Sequence, residues 1–294
     1  MDMKPLSIVI GTSASITEDI VKKYDFSVVD FKLDWPGGEK IEGSNIYEKM
    51  KKVAKGKISD GPKTSQPSIG IYKRAFEEGL QKSEKVLYVS LSSKLSGAYN
   101  SAMQAIKMMK AEDQGKVFIF DTLNADVAES FMAIRAAELS NEGLPIEDIL
   151  TKLNDISKEV KLFGALESAN WLEAGGRINH TMAVLINKMQ DIGMRPILTM
   201  KEGEIKPATL KMQARDVATA LLKELDSQIK SYLEKGKTCR VIISHAGNVE
   251  GAEKITSEAK EKYKDKIKIE YISSTSYVIG AHVGPGALIC CACE

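Results

Sequence analysis

Apolar positions in the first half of the chain follow two alternating rhythms. Short unbroken apolar runs at 8–10, 86–91 and 117–120 read as buried strands. Each gives way to turn-forming residues and then to apolar positions three and four apart. Ile69, Tyr72, Phe76 and Leu80 form one such series, and Ala98, Ala102, Ala105 and Met109 another. That spacing places each set on one face of a helix. A third helix is predicted over 126–141, with Gly143 where a C-terminal cap belongs. Strands alternating with helices predict a parallel sheet with helices on its faces.

The second half changes rhythm. Strands are predicted over 162–166, 196–200, 240–244 and 267–272, and Lys201-Glu202-Gly203-Glu204 reads as the turn of an antiparallel hairpin. Helical spacing covers 170–174, 215–233 and 249–263. The pattern predicts two domains: an N-terminal α/β domain over 1–160, built on a parallel sheet, and a C-terminal α+β domain over 161–294. No repeat, low-complexity tract or flexible linker marks the division, so a chain that crosses more than once fits the pattern.

The chain has 294 residues, 43% of them hydrophobic and 28% charged, as in an ordinary globular protein. Lys and Arg number 41 against 40 Asp and Glu, a formal net charge of +1. That balance supplies no electrostatic drive toward nucleic acid or an anionic membrane. No apolar run approaches the ~20 residues of a membrane span. The first apolar run is too short for a signal peptide and Gly11 ends it. A soluble cytoplasmic protein with no integral membrane segment is expected. The four cysteines are Cys239, Cys290, Cys291 and Cys293. Their spacing does not match a zinc site, so the crowded C-terminus reads as a last strand with Cys in small buried positions. No metal is expected.

Four segments carry candidate chemistry. Lys63-Thr64-Ser65-Gln66-Pro67-Ser68 precedes a helix; its hydroxyls suit helix capping. Ser92-Ser93-Lys94-Leu95-Ser96-Gly97 follows a buried strand and precedes a helix, where ligands of parallel sheets bind and free N–H groups favour an anion. Gly97 permits close approach to the backbone there. Gly175-Gly176-Arg177-Ile178 ends a short helix, and an Arg in such a turn is expected to be exposed. Gly280-Ala281-His282-Val283-Gly284-Pro285-Gly286 places a histidine on what reads as a tight loop between strands. His180 and His245 have no partners at ligand spacing and read as structural or surface residues. Taken one at a time, each segment also fits a purely structural role.

Together, in this order and at these intervals, the segments resemble the DegV family. The resemblance covers nearly the whole chain. It rests on Thr-Ser-Gln-Pro at 64–67, Leu-Ser-Gly-Ala-Tyr at 95–99, Gly-Gly-Arg-Ile at 175–178, Arg-Pro-Ile-Leu at 195–198 and His-Val-Gly-Pro-Gly at 282–286. It implies a two-domain α/β protein with a lipid tunnel between the domains and a long-chain fatty acid as bound ligand, without other cofactors. It implies a carboxylate held by Thr64, Ser96, Gly97 and His282. It also implies a partner, a dihydroxyacetone-kinase-like fatty acid kinase subunit, which meets Arg177 and phosphorylates the carboxylate to an acyl phosphate for phospholipid synthesis. The chain itself would then be a binding subunit and not an enzyme.

The sequence departs from the family pattern twice. Ile10-Gly11-Thr12 stands where relatives carry Thr-Asp-Ser, and Met212, beside Lys211, falls where many carry an Arg. Two other functions compete. A serine-dependent acyl hydrolase or transferase would use Ser96 as nucleophile and His282 as base, although no G-x-S-x-G elbow is present. A sensor of some other amphiphile would share the fold without the fatty acid.

Overall fold

A computed structural model describes residues 3–38, 45–212, 214 and 216–294. The chain begins with Lys4–Gly11 (β1), Glu18–Tyr24 (α1), Ser27–Val29 (β2), Lys32–Asp34 (β3), Asn45–Ala54 (α2) and Lys63–Ser65 (β4). It continues through Ile69–Lys82 (α3), Ser83–Ser90 (β5), Ala98–Lys107 (α4), Ala111–Gln114 (α5), Val117–Asp121 (β6), Asp126–Asn141 (α6) and Ile146–Glu159 (α7). Then come Lys161–Ala165 (β7), Asn170–Ala174 (α8), His180–Asp191 (α9), Met194–Lys201 (β8), Glu204–Met212 (β9) and Val217–Glu234 (α10). Cys239–His245 (β10), Val249–Tyr263 (α11), Ile267–Ser274 (β11), Tyr277–Val283 (α12) and Leu288–Cys293 (β12) complete it. Two compact units emerge. The first takes residues from 1–32, 65–159 and 202–204, the second from 33–64, 160–201 and 205–294.

The first unit is built on a four-stranded sheet in the order β2-β1-β5-β6, parallel throughout. Both central strands are buried along their second halves because helices cover both faces. On one face Val9, Val86, Tyr88 and Val117 pack against Tyr72 and Phe76 of α3 and Ala98, Ala102 and Ala105 of α4. These are the residues that the helical spacing singles out, and the small alanines bring α4 close. Helix α6 packs on β1, β5 and α7; its first eight residues, Asp126 to Ala133, are all buried. Its end is stopped by Gly143 at φ +85°, whose N–H bonds to Ser140, while the Leu144 N–H reaches Leu139. After β1 the chain runs to β2 on one side, and β5 lies on the other. The carboxyl ends of β1 and β5 therefore form a topological switch point, the usual seat of a ligand in such sheets.

The second unit holds a mixed sheet in the order β11-β10-β12-β7-β8-β9. Strands β10 and β11 are parallel, and β10/β12, β12/β7 and β7/β8 are antiparallel. Glu202 and Gly203, both at positive φ, make the tight turn between β8 and β9. Helices α10 and α11 bury Leu221, Leu225, Ile229, Ala252 and Ile255 on one face, against Val241, Ile243 and Cys290. All four cysteines are buried and none is in a disulfide, and β12 carries three of them. A second cluster joins Trp35, Tyr47 and Met50 to Trp171, Leu172 and Ile186. Arg215, where the helix expected over 215–233 begins, lies outside the described residues, as do the side chains of Lys211 and Met212. Among the described residues no helix is long and apolar enough to cross a membrane.

Candidate functional site

In the second unit the structure brings together Thr64, Arg177 and His282, three of the five site residues that the resemblance implies. Thr64, on β4, and His282, in the last turn of α12, share a hydrogen bond of 2.7 Å between Oγ1 and Nε2. Both belong to a recess of about 230 Å³ whose lining includes Gly61, Trp171, Gly175 and Arg177. His282 is thus helical and not on a loop between strands as its glycine neighbours suggest. The Ser276 hydroxyl caps α12 by accepting from the Ile279 N–H, and the missing side chain of Gly280, within the helix, leaves room for the Tyr47 ring. The turn after it is pinned where the Gly286 N–H donates to Ala246. Gly284, at φ +79°, lies against the Trp171 indole, so closely that a Cβ would overlap it at 2.2 Å from Cδ1.

The electrostatics of the recess follow from burial. His282 loses solvation and faces the Arg177 charge, and these two causes depress its pKa to about 3. The imidazole is therefore neutral at physiological pH. Its Nδ1 is buried without a hydrogen-bond partner among the described residues. Arg177 differs from expectation. It is half-buried, its guanidinium donates from Nη1 to the Gly175 carbonyl, and burial lowers its pKa. Glycine at 176, at φ +72°, turns the chain tightly enough for this return. His180 opens α9 and is exposed, with Nδ1 2.6 Å from Glu173 Oε1. Among the described residues no cluster of three or more His, Cys, Asp or Glu side chains is placed to hold a metal ion.

Ser96 and Gly97 belong to the first unit, between β5 and α4 at the switch point. The Ser96 hydroxyl accepts from the Ala98 N–H at 3.2 Å. Gly97 is the N-cap of α4 and makes room for Gln66: a Cβ there would stand 2.7 Å from the amide nitrogen. The Thr-Ser-Gln-Pro motif is therefore split in its work, Thr64 serving His282 and Gln66 serving Gly97. The helix that follows has Ser68 at its N-cap without a side-chain bond, so hydroxyl capping does not explain the motif. Nearby, at the end of β1, Gly11 lies against the Phe31 ring, where a Cβ would meet Cε2 at 2.6 Å. No larger residue fits there unless Phe31 moves.

A model of the DegV family matches residues 5–294. The chain belongs to the DegV family. A fatty acid-binding protein from Thermotoga maritima is 29% identical over 293 residues, 96% of each chain. The solved structure of DegV from Bacillus subtilis, a fatty acid binding protein, superimposes with a TM-score of 0.79 at 27% identity and covers 99% of both chains. A stearic acid-binding protein from Eubacterium ventriosum shares the fold, with a TM-score of 0.84 at 20% identity over 100% of this chain and 98% of that one. The expectation of a DegV-type α/β fold with a parallel sheet is met, and the structure adds that the second sheet is mixed.

Within this DegV chain, sequence reasoning missed Trp171, Gln66 and the packing role of Gly175. Trp171 lacked a signal beyond its rarity. Gln66 and Gly175 sit inside the motifs, but a side chain's packing against a distant glycine leaves no local signal. A further group escaped notice at the switch point. Glu129, in the first turns of α6, is fully buried and accepts from the Ser13 hydroxyl at 2.8 Å. Burial raises its pKa well above the ordinary value, against the opposing Ser13 bond and with help from Asp126.

Proposed function

We propose that this protein binds a long-chain fatty acid and presents its carboxylate to a separate dihydroxyacetone-kinase-like kinase subunit, which phosphorylates it to an acyl phosphate. The observation that carries the reading is the Thr64–His282 pair, set in a glycine-lined recess. Family membership and the fatty acid-binding relatives support it. In this reading Thr64, Ser96, the Gly97 N–H and His282 hold the carboxylate, and Arg177 serves the docking of the kinase. Two hydroxyls, an amide and an imidazole are suitable donors to an anion. A neutral imidazole suits the task, because it holds the carboxylate without cancelling the charge that makes it a nucleophile. The acyl chain supplies affinity: the roughly fifteen apolar carbons of a sixteen-carbon acid, at ~0.8 kcal/mol per buried CH2, give roughly 12 kcal/mol before the loss of motional freedom is counted. The chain acts as a binding subunit in the cytoplasm and needs no further cofactor.

A serine hydrolase is a weaker reading. The Ser96 hydroxyl is engaged with its own helix start, and His282 Nδ1 meets no orienting carboxylate among the described residues. Incubation with a fluorophosphonate separates the two: no label at Ser96 accords with a binding protein, whereas labelling would favour the enzyme. A sensor of another amphiphile is separated by the identity of the extracted lipid.

A further inference from the structure

Two adjacent glycines end α8, and only one has the conformation that favours glycine. Gly176 lies at φ +72° with no atom near its absent side chain. Gly175 has φ −79° and ψ −6°, ordinary right-handed backbone that any residue adopts. Its need for glycine has a different origin. A Cβ at 175 would stand 2.2 Å from Nδ1 and 2.9 Å from Cε1 of His282. Ordinary contact begins near 3.4 Å, so the ring would have to retreat by more than an ångström. The imidazole is not free to do so without loss. Nε2 is held at 2.7 Å from Thr64 Oγ1. Beside it, Trp171 fixes the wall: its carbonyl accepts the Gly175 N–H at 3.0 Å, and its indole fills the space left by Gly284.

We infer that Gly175 is a positioning residue for His282: the absence of a side chain at 175 lets the imidazole sit close against the end of α8 and keeps Nε2 on Thr64. The first glycine of the Gly-Gly-Arg motif thus belongs to the head-group recess. The second serves the turn that returns Arg177 to the Gly175 carbonyl. One peptide thereby contacts both the imidazole and the guanidinium. This inference rests on the carboxylate-binding reading for its consequence in function, but not for its geometry.

The test is Gly175→Ala, alone and combined with His282→Ala, in the full chain. Fatty acid and its methyl ester are titrated against each variant, and the imidazole nitrogens of His282 are followed by NMR through a pH titration. Gly175→Ala is expected to weaken the acid roughly tenfold or more, the cost of losing a hydrogen bond to a charged group, and to leave the ester unchanged. The His282 resonances are expected to shift and to titrate closer to the ordinary imidazole range as the ring leaves its buried seat. In the His282→Ala background the second substitution should add nothing, the mark of two residues acting through one contact. Equal losses with and without His282, or unchanged His282 resonances in Gly175→Ala, would overturn the inference. Should Gly175→Ala fail to fold, the double variant is expected to fold again, and its failure would count against the inference in the same way. A wild-type protein that binds no fatty acid would defeat the proposed function, while the NMR and the cycle, read then on thermal stability, would still decide the role of Gly175.

Discussion

In the proposed carboxylate site, His282 acts through its neutrality and its fixed position. With the imidazole uncharged down to about pH 3, fatty acid affinity is expected to be flat between pH 6 and 9, and a steep fall across the ordinary histidine range would show that a protonated ring is required. Ser96→Ala and His282→Ala are each expected to weaken the acid about ten- to hundredfold, the value of one hydrogen bond to a charged group, with the methyl ester unaffected in a titration calorimeter. Arg177→Ala is expected to leave fatty acid affinity intact and to slow phosphoryl transfer by the kinase. Removing its charge also raises the imidazole pKa, since Arg177 is the second cause that depresses it. Glu129 gives a prediction of opposite sign. Its folded pKa is raised by burial, so the unfolded chain ionises first, and stability falls as pH rises from the ordinary carboxylate range toward the folded value. Glu129→Gln is expected to remove that slope in denaturant titrations run from pH 5 to 9. A slope that persists would assign it to another group.

At the scale of elements, legibility tracked length and periodicity. Helices α6, α8 and α11 match their predicted bounds of 126–141, 170–174 and 249–263; Gly143 and Gly175 mark the ends of the first two, and the Asn248 side chain caps the start of the third. Strand β2, three residues long, offers too little pattern to read. Helix α7 buries Ile146, Ile149 and Leu153, a stripe at helical spacing that is legible in the sequence. Helix α9 begins directly after the Gly-Gly-Arg turn, and its start signal is Asn179, whose side chain accepts from the Met182 N–H. Asn179→Ala is expected to cost about 1 kcal/mol of stability, measurable by chemical denaturation. Helix α12 stands where a loop is expected, because glycine usually punctuates a turn; the Tyr47 ring that occupies the space beside Gly280 belongs to a residue far away in sequence. The candidate site shows the same division. The motifs single out Thr64 and His282, but their hydrogen bond and the half-burial of Arg177 depend on tertiary packing that no local pattern encodes.

For the whole molecule, the central claim is that this fold carries a long-chain fatty acid by its carboxylate. The parallel sheet of the first unit sets Ser96 and Gly97 at its switch point, and the second unit sets His282 on Thr64. The near-zero net charge leaves apolar burial and a few fixed donors as the means of recognition. The most direct test is mass spectrometry of the lipid released on denaturing the purified, folded protein. The account predicts a long-chain fatty acid at about one per chain. A folded protein that releases no such acid, and takes none up when it is supplied, would contradict it.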